Sequence, residues 1–159
     1  MNLYVEATYV CWLVFFTYWT VKRFGNKKTL RHQNYLKRVL VSAVVTAGFL
    51  LLYIPDLAIG FLGRRFVPLT PAIGVPGVAL CALGVAVALW ARRTLGRNWS
   101  GIPTIKEDHE LIVTGPYRWV RHPIYTGMLL AILGAALALG ELRGLVTVLL
   151  FLAAFLSKI

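Results

Sequence analysis

The sequence predicts an all-α, polytopic membrane protein with about five transmembrane helices, its N-terminus outside and its C-terminus cytoplasmic. Three observations predict it. Of 159 residues, 58% are hydrophobic and only 14% charged, with a mean hydropathy of +0.71, whereas a soluble domain carries about 25% charged residues. Long apolar runs recur along the chain, and the Lys and Arg residues crowd into alternate connectors. A disordered chain and an ordinary soluble domain are both excluded. A crossing needs ~20 apolar residues, so this length holds four or five crossings and a single domain over 1–159.

The first run, Leu3–Val21, has no basic stretch before it and no A-x-A-like site after it, so it reads as an anchor and not a cleaved signal. A basic connector follows, containing Lys22, Arg23, Lys27, Lys28, Arg31, Lys37 and Arg38. The second run spans Val39 to Ile54, where Pro55 and Asp56 interrupt it before a continuation toward Leu62. Gly63, Arg64, Arg65, Pro68 and Pro71 form the next connector, and Ala72–Ala91 is the third run. A polar segment from Arg92 to Pro123 separates it from the fourth run, Ile124–Leu139. Glu141, Leu142 and Arg143 read as a short turn, and Gly144–Leu156 is the fifth run. The last two runs are short, so a tight hairpin in a thinned bilayer or a chain truncated at Ile159 is expected.

With connectors 22–38 and 92–123 and the C-terminus on one side, that side holds fourteen Lys and Arg, against three on the other. Cytoplasmic loops concentrate such residues. The segment 92–123 is therefore expected to face the cytoplasm, at a bacterial inner membrane. The net charge of +11 is assigned to anionic lipid headgroups and not to nucleic acid. Cys11 and Cys81 sit inside apolar runs and read as small buried hydrophobes. His32, His109 and His122 are far apart, and no spacing of His, Cys, Asp or Glu suggests a metal site.

The chemistry concentrates in Leu111–Leu130, LIVTGPYRWVRHPIYTGMLL. Pro123 stands where a first helical residue is favoured, because its missing N–H would be unpaired anyway. The amides of Ile124, Tyr125 and Thr126 are then expected to lack intrahelical partners at the positive end of a helix dipole, an anion-binding arrangement. Arg118 and Arg121 add fixed charge, and His122 and Tyr125 add a ring donor and a hydroxyl. Below them Gly127, Ala131, Gly134, Ala135 and Ala138 make a small-residue face, suited either to close helix packing or to a ligand. The same residues also fit a plain interfacial role, with Arg118 and Arg121 reaching lipid phosphates and Tyr117, Trp119 and Tyr125 forming an aromatic belt. Physics alone leaves both readings open and names no anion.

The run TGPYRWVRHPIYTG, with its core Arg121, His122, Pro123, Ile124, Tyr125, Thr126, Gly127, resembles the signature of the isoprenylcysteine carboxyl methyltransferase family of integral-membrane methyltransferases. The upstream LGRNWS (Leu95–Ser100) and IKEDHELIVTGPY stretches also resemble bacterial members, so the likeness is dense over about 95–130. It implies a bundle of transmembrane helices that uses S-adenosylmethionine to methylate a carboxylate on a lipid-like or isoprenylcysteine-type acceptor arriving from the bilayer. By position, it places cofactor contacts on His109, Glu110, Leu111, Ile112, Tyr117, His122, Pro123, Ile124 and Tyr125. Arg121 and Arg118 are candidates for orienting a carboxylate. The sequence departs from the family in ending at Phe155, Leu156, Ser157, Lys158, Ile159, without the Arg- and Glu-Glu-containing segment that completes the family's pocket. Two rivals remain: an NADPH-dependent sterol- or steroid-type membrane reductase, against which Pro123 speaks, and a non-catalytic membrane helper. No motif names the acceptor or the oligomeric state.

Overall fold

The computed structural model describes residues 2–22, 35–96 and 113–158. Within them lie five α-helices and no strands: α1 (Leu3–Val21), α2 (Tyr35–Tyr53), α3 (Pro71–Leu95), α4 (Pro123–Leu139) and α5 (Leu142–Leu156). By length and composition α2 and α3 are each able to cross a membrane, while α4 and α5 are apolar but shorter, at 17 and 15 residues. Large apolar side chains such as Leu13, Leu83 and Leu149 remain exposed, as a surface facing acyl chains requires.

The boundaries follow local chemistry. Asn2 caps α1 by accepting from the Val5 amide at 2.8 Å. α2 begins at Tyr35, four residues before the apolar run, and takes Lys37 and Arg38 into its first turns. It does not continue to Leu62: Pro55 opens a 3-10 turn, Pro55–Leu57, instead. α3 starts with Pro71 at its first position and runs through Arg92 and Arg93 to Leu95, four residues beyond the apolar run. α4 ends at Gly140, whose φ of +72° lies in the left-handed region that glycine enters without strain.

Alternate helices run in opposite directions. One end of the bundle gathers Asn2, the end of α2 and the α4–α5 turn. There the Asn2 side chain lies 3.5 Å from the Ala138 carbonyl, and Arg65 and Glu141 pair as an isolated antiparallel bridge. Arg143, expected in a turn, is buried in the first turn of α5. It donates to the Leu51 and Ile54 carbonyls at 3.0 and 2.6 Å and pairs with Glu141 at 2.7 Å. Its charge thus reaches the Leu51 carbonyl, which Pro55 leaves without a helical amide, and the Ile54 carbonyl, which also accepts from the Leu57 amide at 3.3 Å. The opposite end carries Lys22, Arg38, Arg92, Arg93, Arg118, Arg121 and Lys158.

The core seam is the contact between α3 and α4. Gly77 and Gly84 of α3 face Gly127 and Gly134 of α4, each pair seven residues apart. A Cβ on Gly127 would stand 2.6 Å from the Gly84 carbonyl oxygen and 2.7 Å from the Ala88 nitrogen. One on Gly134 would collide with the Cys81 amide, and one on Gly84 with the Ala131 amide. The two backbones touch, as small-residue faces permit. The small-residue face of α4 is therefore spent on helix packing. Cys81 is fully buried in this seam.

Replacing Gly127 by Val should force the two backbones apart and cost about 3 kcal/mol, the upper range for overpacking. Leu149→Ala on the exposed face should change stability by about 0.5 kcal/mol or less. Thermal unfolding of both variants in detergent, followed by helical circular dichroism, checks the contrast.

Candidate functional site

The basic end of the bundle holds a concavity bordered by α1, α2, α4 and α5. The seam sets it up by fixing where α4 begins relative to α3. Ahead of α4, a 3-10 turn over Gly115–Arg118 docks on the end of α3. Gly115 has φ +58°, and a Cβ there would also come within 2.8 Å of the Thr94 hydroxyl. Both facts demand glycine at that position. Trp119 packs edge-on against Trp90 with ring centroids 5.9 Å apart.

His122 is the backbone N-cap of α4, and its side chain does not cap the helix. Its ring is free to stack near-parallel on Tyr125 at 5.8 Å, and Tyr125 stacks in turn on Phe155 of α5 at 4.7 Å. Thr126 corrects one expectation. Its amide donates to the His122 carbonyl at 3.0 Å, so it is consumed by the first helical hydrogen bond. The amides of Ile124 and Tyr125 precede that bond and have no partner among the described residues.

These groups border a cavity of about 550 Å³, within the range of small-molecule sites. Tyr117, Arg121, His122, Ile124 and Tyr125 all line it. Pro123 does not: it is fully buried and starts α4 from below. Arg118 does not either; it ends the 3-10 turn with its side chain exposed, so only one of the two predicted arginines reaches the cavity. His109, Glu110, Leu111 and Ile112 lie outside the described residues.

Much of the wall was not foreseen. Phe15, Phe16 and Trp19 of α1, Ser42 and Thr46 of α2, and Phe155 of α5 complete it. The crowding of aromatics at the end of α1 and the four-residue spacing of two hydroxyls in an apolar helix were the available signals, because residues four apart share a helix face. Phe15 stacks on Trp19 at 4.7 Å. Behind Trp19, the buried Arg92 donates to the Gly96 carbonyl at 2.7 Å and the Lys22 carbonyl at 3.0 Å, its guanidinium 5.9 Å from the Trp19 ring. The site is thus aromatic along its length and cationic at its mouth, where Arg121 and Lys158 stand. Such a cavity suits a planar or apolar body that carries an anionic group.

Burial pushes the Tyr117 phenol up to about 12, against the opposing pull of the Arg92 guanidinium. The phenol is therefore a neutral hydrogen-bonding group at physiological pH. From pH 10 to 12 the folded chain holds a proton there that an unfolded tyrosine releases, so this contribution to stability is intact below pH 10 and is lost as pH rises through 12.

Residues 73–159, a little over half of the chain, match the family described as Phospholipid methyltransferase. The match begins in α3 and covers the 3-10 turn, α4 and α5, hence the Tyr117–Tyr125 side of the cavity. Over 58 residues the chain is 36% identical to a protein of Bacillus subtilis (strain 168) named Uncharacterized protein YpbQ, a stretch covering 36% of this chain. The match spans 34% of that relative's length. No solved structure matches.

A difference titration of the tyrosinate absorbance between the unaltered chain and Tyr117→Phe should show one phenol ionising near pH 12. A difference centred on pH 10 would mean that Tyr117 is open to water.

Proposed function

Because the chain belongs to the phospholipid methyltransferase family, the integral-membrane methyltransferase group that also holds the isoprenylcysteine carboxyl methyltransferases, we propose that it methylates a carboxylate of a lipid-like acceptor with S-adenosylmethionine. The observation that carries this reading is the convergence of Tyr117, Arg121, His122, Ile124 and Tyr125 on one cavity inside the matched residues. The cavity mouth faces the cytoplasm in this reading, because the basic end of the bundle is the end that stays inside.

The residues present fit the methyl donor. The amides of Ile124 and Tyr125 point from a helix N-terminus and suit its carboxylate, and Arg121 adds a fixed charge to the same anion. The His122–Tyr125–Phe155 stack and the facing Trp19 offer aromatic surface to its flat base. When bound, S-adenosylmethionine supplies the methyl group: an acceptor oxygen bonds to that carbon as the carbon–sulfur bond breaks, leaving a neutral ester and a neutral thioether. The acceptor carboxylate is already ionised at pH 7, since carboxyl pKa values lie near 4, so the chain needs no strong general base. Its task is alignment of the two reactants and exclusion of water. Arg121 is a positioning residue in this scheme, and the apolar wall from α1 and α2 admits the acceptor's hydrophobic part.

Purified protein should bind S-adenosylhomocysteine in the micromolar range by calorimetry and should not bind NADPH. His122→Ala and Tyr125→Phe should each weaken that binding about tenfold, the size of one lost hydrogen bond or ring contact, with helical content unchanged. Binding of NADPH alone would replace this reading with a reductase, and unchanged affinity in both variants would move the donor elsewhere.

A further inference from the structure

α1 and α3 both run from the Asn2 end of the bundle to the basic end, so they pack side by side in parallel. Two contacts fix their register. A Cβ on Gly74 would collide with the Tyr4 ring, and the Arg92 guanidinium donates to the Lys22 carbonyl at 3.0 Å. Both pairs have the same offset of 70 residues. Cys11 and Cys81 share that offset and lie between the two contacts. Cys11 follows Tyr4 by seven residues and precedes Lys22 by eleven. At 3.6 residues per turn both spacings return to one helix face, to within ~20°. The same spacings place Cys81 on the face of α3 that carries Gly74 and Arg92. The register thus sets the two residues opposite one another at one height, and their side chains are in hydrogen-bonding contact. Both thiols are free.

The pair stands near the middle of both helices, among the buried side chains of Val5, Trp12, Phe15 and Val85. Cys81 is fully buried and Cys11 half-buried, so Cys11 is the thiol that a reagent meets first. A charged, water-soluble oxidant is kept from such a place. One that dissolves in lipid and takes two electrons, as quinones and azo compounds do, can reach it. The position also bears on the cavity. Phe15, Phe16 and Trp19, which line it, stand one to two turns beyond Cys11 on α1. α4 is locked to α3 backbone against backbone, whereas α1 meets α3 through side chains such as Tyr4. A covalent bond at Cys11 would remove that freedom from the aromatic wall.

We infer that Cys11 and Cys81 are a site of reversible disulfide formation, which pins the α1 wall of the cavity to α3 when a lipid-soluble two-electron oxidant is present. With the azo compound diamide, the Cys11 thiol adds across the N=N bond, its sulfur to one nitrogen and its proton to the other. The Cys81 sulfur then attacks the Cys11 sulfur, the S–N bond breaks, and the Cys81 proton passes to the released nitrogen. One S–S bond has formed, two S–H bonds have broken, and the azo compound leaves as the hydrazine. A quinone accepts the same two electrons and two protons as its hydroquinone. A dithiol reverses the step by exchange. None of this depends on which molecule the cavity binds.

The test treats the full chain in phosphatidylcholine nanodiscs with diamide, blocks remaining thiols, and digests with trypsin. Mass spectrometry should find the peptides 1–22 and 66–92 joined, and dithiothreitol should part them. A disulfide tolerates Cα separations of only ~4.4–6.8 Å, so the rate of joining reads the register directly. The variant C81S/L83C moves the thiol to the exposed face of α3 and should join at least about tenfold more slowly. Oxidation should raise the midpoint of thermal unfolding by about 10 °C, as a link closing a loop of this length predicts, and should leave C11S unchanged. Four outcomes would each overturn the proposal: no joined peptide, two copies of 1–22 joined between chains, equal rates in C81S/L83C, or a joined chain that melts where the reduced one does.

Discussion

The backbone-to-backbone contact of α3 and α4 is the constraint from which the rest of the molecule follows. Gly77, Gly84, Gly127 and Gly134 bring the two chains so close that any side chain at these positions would meet a neighbouring amide or carbonyl. Within lipid there is little hydrophobic gain in pressing one apolar helix on another, so close van der Waals contact supplies the attraction. Once that contact is made, the rotation and height of α4 relative to α3 are set, with no side-chain layer between them to absorb a shift. The beginning of α4, with its Pro123 and its two leading amides, is therefore held at a fixed place beside the end of α3.

The cavity is a consequence of this precision at one end of a bundle whose other helices pack more loosely. The 3-10 turn at Gly115–Arg118 closes on Thr94 and Trp90, so Tyr117 and His122 are presented from a support that is itself anchored. α1 and α2 then complete a wall of aromatic rings and two hydroxyls. The other end is closed differently, by Arg143 and Glu141 satisfying one another and the end of α2. Charge is thus buried and matched at one end, and gathered around an open mouth at the other.

The helices were legible because the lipid core imposes a length on apolar runs, and five runs predicted five helices with their order and alternation. Their limits were less so. Lys37, Arg38, Arg92 and Arg93 look like connector residues, yet a helix can carry them where their heads reach the interface or a carbonyl. The start of α4 was readable from Pro123, whose ring has only one good place in a helix. The clustering of Tyr117, Arg121, His122, Ile124 and Tyr125 was readable because they are near neighbours in sequence. What was hidden depended on distant partners. The glycine face of α4 offered two uses, and only the matching glycines of α3 decide between them. Arg118 and Arg121 look equivalent in a string, but three residues of a tight turn send one outward and one to the cavity. The rings at the end of α1 and the spaced hydroxyls of α2 were visible in the string, but only the packing of the helices shows that they form the far side of the cavity.

The guanidinium of Arg92 grips carbonyls belonging to the ends of α1 and α3. Lys22 and Arg92 are 70 residues apart, and synthesis proceeds at ~5–20 residues per second. The exit of α1 therefore waits roughly 4–14 s for its tether after leaving the ribosome. During that interval the aromatic end of α1 has no neighbour from α3, although Trp12 and Phe16 already have Phe49 of α2 to pack against. The cavity itself is completed later still, because Tyr117, Arg121, His122, Tyr125 and Phe155 all follow Arg92 in the chain.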